Sequence, residues 1–283
     1  MAGPGIKLTG ILGTIRWGGQ ALACLYVSIL SGIVLALQYN PAEPFYSSAT
    51  LELVVPYGRF WRALHFYSSQ AFFLLLLIHL GIILYRKGFI GPRSSWLRLM
   101  AILPIALLLL FTGYVLRGDA TGEAAGAIAE HIMLSIPVIG RQLNQLLFDI
   151  SAAGMRKVYA NHLIGLIALG MFSLWPHLCT YRVRISRHIQ SALLIFLACL
   201  VIPAPMEPER IGMTHIAGPW FFLGLQELLR YIPPFWAGIV VPAVLLAALF
   251  LYPAEPKQQK HTAFVIFIWC VLYSILSLIS LYR

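Results

Sequence analysis

Four of the eight histidines lie within strongly apolar stretches, where imidazole is a side chain well suited to bind a metal. His65 and His79 are fourteen residues apart, and His162 and His177 are fifteen residues apart. On an α-helix, a rotation of about 100° and a rise of 1.5 Å per residue return each pair to nearly the same face. The two members of each pair are then separated by about 21–22 Å along the helix axis.

The two histidine-bearing helices are the second and fourth apolar spans, so they are expected to run in the same direction across a membrane. His65 then faces His162 near the outer surface. In the same way, His79 faces His177 near the cytoplasmic surface. Each facing pair supplies the two axial nitrogens of one haem iron, so the pattern predicts two b-type haems stacked across the bilayer.

Other interpretations of these histidines explain their spacing less well. A lone intramembrane histidine commonly donates an interhelical hydrogen bond or belongs to a proton relay, but two pairs at matched spacing are harder to explain in that way. A transition-metal site would bring its ligands within a turn of each other. The cysteines show no CxxC or CxxCH spacing, which argues against a covalent haem, a zinc ribbon or an iron–sulfur cluster; they are Cys24, Cys179, Cys199 and Cys270.

Three further residues fit a haem site. Arg62 lies one turn before His65, where its guanidinium can pair with a haem propionate, although a snorkelling interfacial arginine is the alternative. Gly18 and Gly32 are again fourteen residues apart, at the same two depths as the histidines. Glycine lets a flat macrocycle approach a helix closely, and the alternative is ordinary close packing between membrane helices.

The elements that must position these residues are membrane spans. The chain of 283 residues is 60% hydrophobic and 11% charged, whereas a soluble domain carries roughly a quarter charged residues. Spanning a bilayer takes about 20 apolar residues. Seven spans are predicted, at Gly19–Tyr39, Phe60–Tyr85, Leu97–Leu116, Val158–Leu178, Ile189–Val201, Trp236–Leu251 and Ala263–Leu281. The predicted fold is an all-α membrane protein with a four-helix haem-binding bundle followed by three C-terminal helices.

Between the third and fourth spans, Asp119–Lys157 is too polar to cross a membrane and is expected to form helices at the interface. The net charge of +10 is concentrated at the N-terminus and in the loops after the second, fourth and sixth spans. That distribution predicts a cytoplasmic N-terminus and a periplasmic C-terminus in an inner, energy-transducing membrane of bacterial type. The basic surplus is therefore a topology signal beside membrane lipid, and nucleic-acid binding is not expected.

Several stretches resemble the cytochrome b family of bc-type complexes, and together they extend over nearly the full chain. The matching stretches are Gly32–Tyr39, Arg59–His65, Thr112–Leu116, Ser135–Gly140 and Trp220–Pro233. The resemblance implies two bis-histidine b haems and two quinone sites on opposite membrane faces. The fifteen-residue histidine spacing is similar to the chloroplast-type version, which is split into two chains. The resemblance thus divides this chain into a haem-binding part, 1–184, and a subunit IV-like part, 185–283.

The resemblance also implies roles for residues near the outer membrane face. Gly113 corresponds to a helix-three glycine that approaches a haem, while Tyr114, Trp220 and Phe221 correspond to the outer quinone site. The family's Pro-Glu-Trp-Tyr motif is replaced here by Gly-Pro-Trp-Phe at 218–221. The glutamate thought to take the quinol proton is therefore missing.

A proton must still leave if quinol is oxidised, and a carboxylate of matched pKa is the usual acceptor. Asp119 and Glu227 are the candidate replacements near that face, together with His215. The alternative for Glu227 is a structural ion pair with Arg230, which lies one helical turn away. A remodelled or silent outer site, exchanging electrons directly with a neighbouring subunit, is a further alternative.

The predicted function is a di-haem b subunit of a membrane quinone/quinol oxidoreductase complex. It would carry electrons between menaquinone or ubiquinone and a cytochrome c or Rieske-type iron–sulfur partner, in a complex that the resemblance implies is dimeric. One alternative is a haem b quinone-reducing anchor for a periplasmic dehydrogenase or reductase. The other, from a different class, is a proton or ion transporter with an intramembrane histidine relay.

Overall fold

The computed structural model describes residues 15–86, 89, 91–209, 216–252 and 256–282. His215, one of the candidate proton acceptors, lies outside these ranges. The described part of the chain is helical and contains no β-strand. Its helices are α1 Trp17–Ala36, α2 Pro44–Leu53, α3 Gly58–Arg86, α4 Arg93–Val115, α5 Ala120–Leu134, α6 Gly140–Leu147, α7 Ala152–Tyr181, α8 Gln190–Cys199, α9 Leu223–Leu228, α10 Trp236–Leu251 and α11 Pro256–Leu281.

Five of these helices, α1, α3, α4, α7 and α11, are long and apolar enough to cross a membrane. This result confirms the prediction of an all-α, multi-pass membrane protein. The predicted count of seven spans is not confirmed, because α8 and α10 are shorter apolar helices. With ten residues, α8 is only about 15 Å long, which is half the thickness of the hydrocarbon layer. The segment predicted to lie at the interface forms α5, α6 and the start of α7.

The chain divides into two compact units that are discontinuous in sequence. The first comprises the described residues within Met1–Gln38, Leu51–Gly88 and Leu178–Ala204, and the second those within Tyr39–Thr50, Phe89–His177 and Pro205–Arg283. The first unit therefore contains α1, α3 and α8, and the second contains α4 to α6, most of α7, and α9 to α11. The division at residue 184 that the resemblance implies stays a prediction.

Helix α1 packs along α3 in the first unit. Ala63 and Leu64 of α3 form a small buried core with Cys199 of α8 and with Ala204. Larger apolar side chains pack against this core, among them Val27 of α1 and Ile195 of α8. This packing fixes the register of α1 against α3, and that register places the glycines of α1 opposite the histidines of α3.

Tertiary hydrogen bonds fix α4 and α11 within the second unit. The buried Trp96 of α4 donates its indole N–H to the Leu249 carbonyl of α10 at 2.7 Å. The Tyr273 hydroxyl of α11 donates to the Phe221 carbonyl at 2.7 Å. Between α4 and α5 the chain turns at Gly118, whose φ is +65°, and a Cβ there would lie 2.5 Å from the Phe45 nitrogen. Glycine is therefore required at this turn.

Candidate functional site

His65 of α3 lies directly against Gly32 of α1. A Cβ added to Gly32 would lie 2.8 Å from Cε1 of the imidazole, so only glycine leaves room for the ring. The Nδ1 atom of His65 lies 2.8 Å from the Ser28 carbonyl oxygen. A carbonyl can only accept, so Nδ1 donates its N–H and Nε2 retains a lone pair that can bind a metal.

His79 lies two α-helical turns beyond the middle of α3 and meets the other glycine of α1. A Cβ on Gly18 would lie 3.0 Å from Nε2 of His79. The two glycines fourteen residues apart on α1 therefore contact the two histidines fourteen residues apart on α3. The glycine spacing noted in the sequence thus matches the histidine spacing on the neighbouring helix.

His162 of the second unit has the same two kinds of neighbour. Its Nδ1 atom lies 2.9 Å from the Thr112 hydroxyl oxygen on α4. A Cβ added to Gly113, the next residue, would lie 3.3 Å from Cε1 of the ring. The arrangement repeats that of His65, with a partner at Nδ1 and a glycine beside the ring edge.

A widened turn of α7 carries His162. Residues Asn161–Gly165 form a π-helical turn, closed by the Leu166 N–H donating to the Asn161 carbonyl. In a regular α-helix, fifteen residues would rotate His177 about 60° past four full turns, whereas fourteen fall about 40° short. The π turn absorbs one residue, so His162 and His177 share the angular offset of His65 and His79. His177 follows Pro176 in the last part of the same helix.

These residues fit b-type haem iron, which takes axial imidazole nitrogens beside a flat macrocycle. Glycines next to three of the four histidines leave space that any Cβ would fill. Within the described residues no group of three or more His, Cys, Asp or Glu side chains could hold a metal ion by itself. The histidines therefore suit an iron whose remaining ligands come from the macrocycle, rather than a protein-only metal centre.

Arg62, predicted to meet a haem propionate, is buried in the first unit. Its Nε donates to Glu52 at 2.7 Å and its Nη2 donates to the Ala204 carbonyl at 3.2 Å. Arg59 also pairs with Glu52, at 3.5 Å, but is largely exposed. The charge of Arg62 is therefore matched by Glu52 in this arrangement, and its role toward a propionate stays a prediction.

Asp119 is fully buried, and both of its oxygens are in use. It pairs with Arg117 through Nε at 2.9 Å and through Nη2, and it accepts the Gly122 N–H at 3.0 Å as the N-cap of α5. It also accepts the Glu207 N–H at 3.1 Å. Arg117 in turn lies over the Tyr114 ring, with 4.8 Å between its Cζ and the ring centroid. Asp119 therefore joins the end of α4, the start of α5 and the segment around Glu207.

Replacing Asp119 with alanine is expected to destabilise the protein by about 3–5 kcal/mol, because Arg117 would be left buried without its carboxylate and α5 would lose its cap. That loss corresponds to a fall of roughly 10 °C in unfolding temperature. Thermal unfolding in detergent would measure it. Glu123→Ala, at an exposed acid in the first turn of the same helix, is the control and is expected to change stability by less than about 0.5 kcal/mol. Equal stability of the two variants would contradict the assignment.

The three residues predicted for the outer quinone site are linked by ring contacts through Phe221. The ring centroids of Tyr114 and Phe221 are 5.6 Å apart in an edge-to-face arrangement, and both side chains are buried. The Phe221 and Trp220 rings are 5.5 Å apart, while Trp220 is exposed. Phe111 and Phe222 form a third pair at 5.4 Å. The structure thus forms an aromatic cluster from α4 and the residues before α9, with Trp220 at its open edge.

Glu227 of α9 is only 1% exposed, which is unusual for a carboxylate. The Tyr231 hydroxyl donates to its Oε1 at 2.7 Å, and Arg230 Nε lies 3.4 Å from its Oε2. Tyr231 is 59% exposed, so one hydroxyl group links the buried carboxylate to the protein surface. The ion pair with Arg230 that was the alternative interpretation is present beside the Tyr231 hydrogen bond.

The start of α7 is fixed by a turn at Asp149 and Ser151. Hydrogen bonds from the Ser151 hydroxyl and backbone N–H lower the pKa of the Asp149 carboxyl, and Ser151 also accepts the Gly154 N–H as N-cap. Because the folded-state pKa is lowered, this contribution to stability is present above the unfolded-state pKa. It is lost as the pH falls through the folded-state value.

Thr112, Ser28 and Tyr231 are site residues that the sequence did not single out. Thr112 begins one of the family-like stretches and Ser28 is a polar residue within an apolar span, but nothing in the spacing indicated that either one contacts a histidine. Tyr231 lies four residues after Glu227, which is one helical turn, so its contact with the carboxylate could have been inferred from spacing.

Glycines beside histidines on long apolar helices are typical of a haem-binding, electron-transferring membrane protein. A family profile described as Cytochrome b/b6/petB matches residues 9–183, and the chain belongs to that family. It is accordingly the cytochrome b subunit of a bc-type oxidoreductase, and the family implies haem b.

Individual relatives agree with this assignment. Cytochrome b of Bugula neritina is 25% identical over 277 residues, covering 85% of this chain and 75% of the relative. Cytochrome b6 of Heliomicrobium gestii is 30% identical over 173 residues, covering 59% of this chain and 81% of the relative. A solved chain of a "Hyperthermophilic respiratory Complex III" has a TM-score of 0.70 at 19% identity, covering 93% of this chain and 91% of that one, and shows the same fold.

Proposed function

We propose that this cytochrome b holds two b haems, an outer one between His65 and His162 and an inner one between His79 and His177. The observation that carries the proposal is the repeated pairing of a histidine with a glycine, at Gly32, Gly18 and Gly113. Two of the histidines also have Nδ1 beside an oxygen atom, and in the tautomer protonated at Nδ1 the Nε2 lone pair is the one that can bind iron.

Haem supplies one-electron chemistry, and two haems at different depths form a path for electrons across the bilayer. The chain's own contribution is to orient the imidazoles, to bury the site and to set the spacing. The equal angular offsets of the two histidine pairs keep both ligand positions on one face of each helix. Seven spans, a cytoplasmic N-terminus and a periplasmic C-terminus are part of the same proposal, which requires α8 and α10 to cross with the loops that flank them.

We further propose that a quinol is oxidised beside the aromatic cluster of Tyr114, Phe221 and Trp220, with Glu227 as the proton acceptor. Oxidation of the quinol to quinone releases two electrons and two protons. One electron would pass to the outer haem and one to the redox partner, while one proton passes from a quinol hydroxyl to a Glu227 carboxylate oxygen and the other to solvent water. Tyr231, hydrogen-bonded to that oxygen and exposed, offers the way out. Asp119 is the second candidate, but its oxygens are already held by Arg117 and two backbone N–H groups.

The partners proposed are a cytochrome c or a Rieske-type iron–sulfur subunit, within a multi-subunit and dimeric complex of an inner membrane. The solved chain of similar fold belongs to a respiratory Complex III, which supports assembly with other subunits. Ubiquinone and menaquinone are both compatible with an aromatic cluster. Copurification and identification of the attached subunits would test the choice of partner.

The decisive experiment is a reduced-minus-oxidised optical spectrum of the purified protein. Two low-spin b-type signals are expected. A protein without haem would refute the proposal and would favour a histidine-relay transporter instead. If haem is present but only inner-site quinone inhibitors stop turnover, the chain would be the quinone-reducing anchor of a periplasmic dehydrogenase or reductase.

A further inference from the structure

The hydrogen bond between α4 and α7 joins Thr112 to His162. Thr112 is 3% exposed, and its Oγ1 lies 2.9 Å from His162 Nδ1. When His162 Nε2 binds iron, Nδ1 carries the ring proton and donates it to Thr112 Oγ1. The hydroxyl is placed to accept this bond because its own hydrogen has carbonyl acceptors in α4, at Leu108 (2.8 Å) and Leu109 (3.2 Å).

We propose that Thr112 is a positioning residue that sets the redox potential of the outer haem through His162. This inference rests on the proposed function, since it requires His162 to ligate the haem iron. Thr112 hydrogen-bonds the ligand and does not itself touch the iron. Its role is therefore additional to that of the four ligands proposed above.

The physical reason lies in the charge difference between the two iron states. An oxygen that accepts the Nδ1–H leaves more electron density on the ring and makes Nε2 a more basic ligand. Ferric iron carries one more positive charge than ferrous iron, so the more basic ligand stabilises the ferric state and lowers the potential. Burial strengthens the effect, because a hydrogen bond is electrostatically stronger in a medium of low dielectric constant.

The two outer-haem histidines differ in how this bond is made. His65 donates to the Ser28 backbone carbonyl, which no side-chain substitution removes. His162 donates to the Thr112 hydroxyl, and valine has nearly the same shape as threonine without the oxygen. Thr112→Val therefore removes one acceptor with little change in packed volume, and Thr112→Ser is the matched control that keeps the hydroxyl.

The test is a spectroscopic redox titration of the purified protein carrying Thr112→Val or Thr112→Ser, with the wild type beside them. Thr112→Val is expected to shift the ferric–ferrous equilibrium of the outer haem toward the ferrous state at least threefold, which is an upward shift of about 28 mV or more. The inner haem potential is expected to stay unchanged. Thr112→Ser is expected to titrate as the wild type does.

The outcomes distinguish the role of Thr112 from the proposed binding of two haems. Two haem signals with unchanged potentials in Thr112→Val would overturn the role of Thr112 and leave the proposed function standing. Absence of haem from the wild-type chain would overturn both. Loss of the outer signal in Thr112→Val, with retention in Thr112→Ser, would support the positioning role, because the hydroxyl would then be needed to hold the ligand.

Discussion

Replacing His65 with alanine is expected to remove one of the two haem b signals and to leave the other in place. An alanine at this position cannot supply an axial nitrogen, and the low-spin state of the outer haem depends on two such ligands. His162→Ala should remove the same signal, whereas His79→Ala and His177→Ala should remove the other. Haem content, expected to fall from about two to about one per chain, is measured by optical spectroscopy after reduction.

The matched control is His131→Ala, at an exposed histidine on α5 whose Nδ1 lies 2.8 Å from the Ala127 carbonyl oxygen of the same helix. Both haem signals should persist in that variant. Thermal unfolding and membrane yield would separate loss of a ligand from loss of the fold. If His65→Ala and His162→Ala removed different signals, the proposed pairing would be wrong even though both residues bound haem.

Replacing Glu227 with glutamine should lower the rate of quinol oxidation by about 100-fold or more, while both haems remain bound. Glutamine keeps the shape and still accepts the Tyr231 hydrogen bond, but it cannot take a proton. General-base contributions of this kind are typically about 10²–10⁴-fold. The measurement is quinol-driven reduction of the outer haem in a rapid-mixing experiment, repeated across pH.

Asp119→Asn is the comparison variant, since it removes the other candidate base with an equally small change in shape. It is expected to lower stability and to leave the rate per folded molecule nearly unchanged. The opposite pattern, with a slow Asp119→Asn and a normal Glu227→Gln, would transfer the proton-acceptor role to Asp119. A Glu227→Gln enzyme of normal rate, together with a normal Asp119→Asn, would mean that neither carboxylate takes the quinol proton.

The sequence predicted the helical, multi-pass membrane fold because membranes impose a simple rule on composition. Every backbone polar group must be satisfied internally, so long apolar runs become helices whose periodicity can be read directly. The contacts of Gly32 with His65 and of Gly18 with His79 follow from the same periodicity on two neighbouring helices. Such regularities need no knowledge of tertiary contacts.

Features that depend on local departures from regularity were not predictable in this way. The short α8 was expected to cross the membrane because its composition is as apolar as that of a membrane-spanning helix. Its actual length of ten residues is decided by where the chain turns. Asp119 caps α5, pairs with Arg117 and accepts the Glu207 backbone N–H. The last contact could not be predicted from the sequence because Glu207 lies eighty-eight residues away in the chain. The contact of Thr112 with His162 joins residues fifty positions apart, and two backbone carbonyls one turn earlier in α4 offer the hydroxyl hydrogen an acceptor.

The π turn at Asn161–Gly165 also has a bearing on how chains of this kind can be compared. The histidine spacing on α7 matches the fourteen-residue spacing on α3 only if one residue of α7 is treated as an insertion. The geometry locates that insertion in one turn, beside His162, rather than spreading it along the helix. A sequence alignment that puts its gap anywhere else in α7 would misassign the faces of every residue between the gap and the π turn.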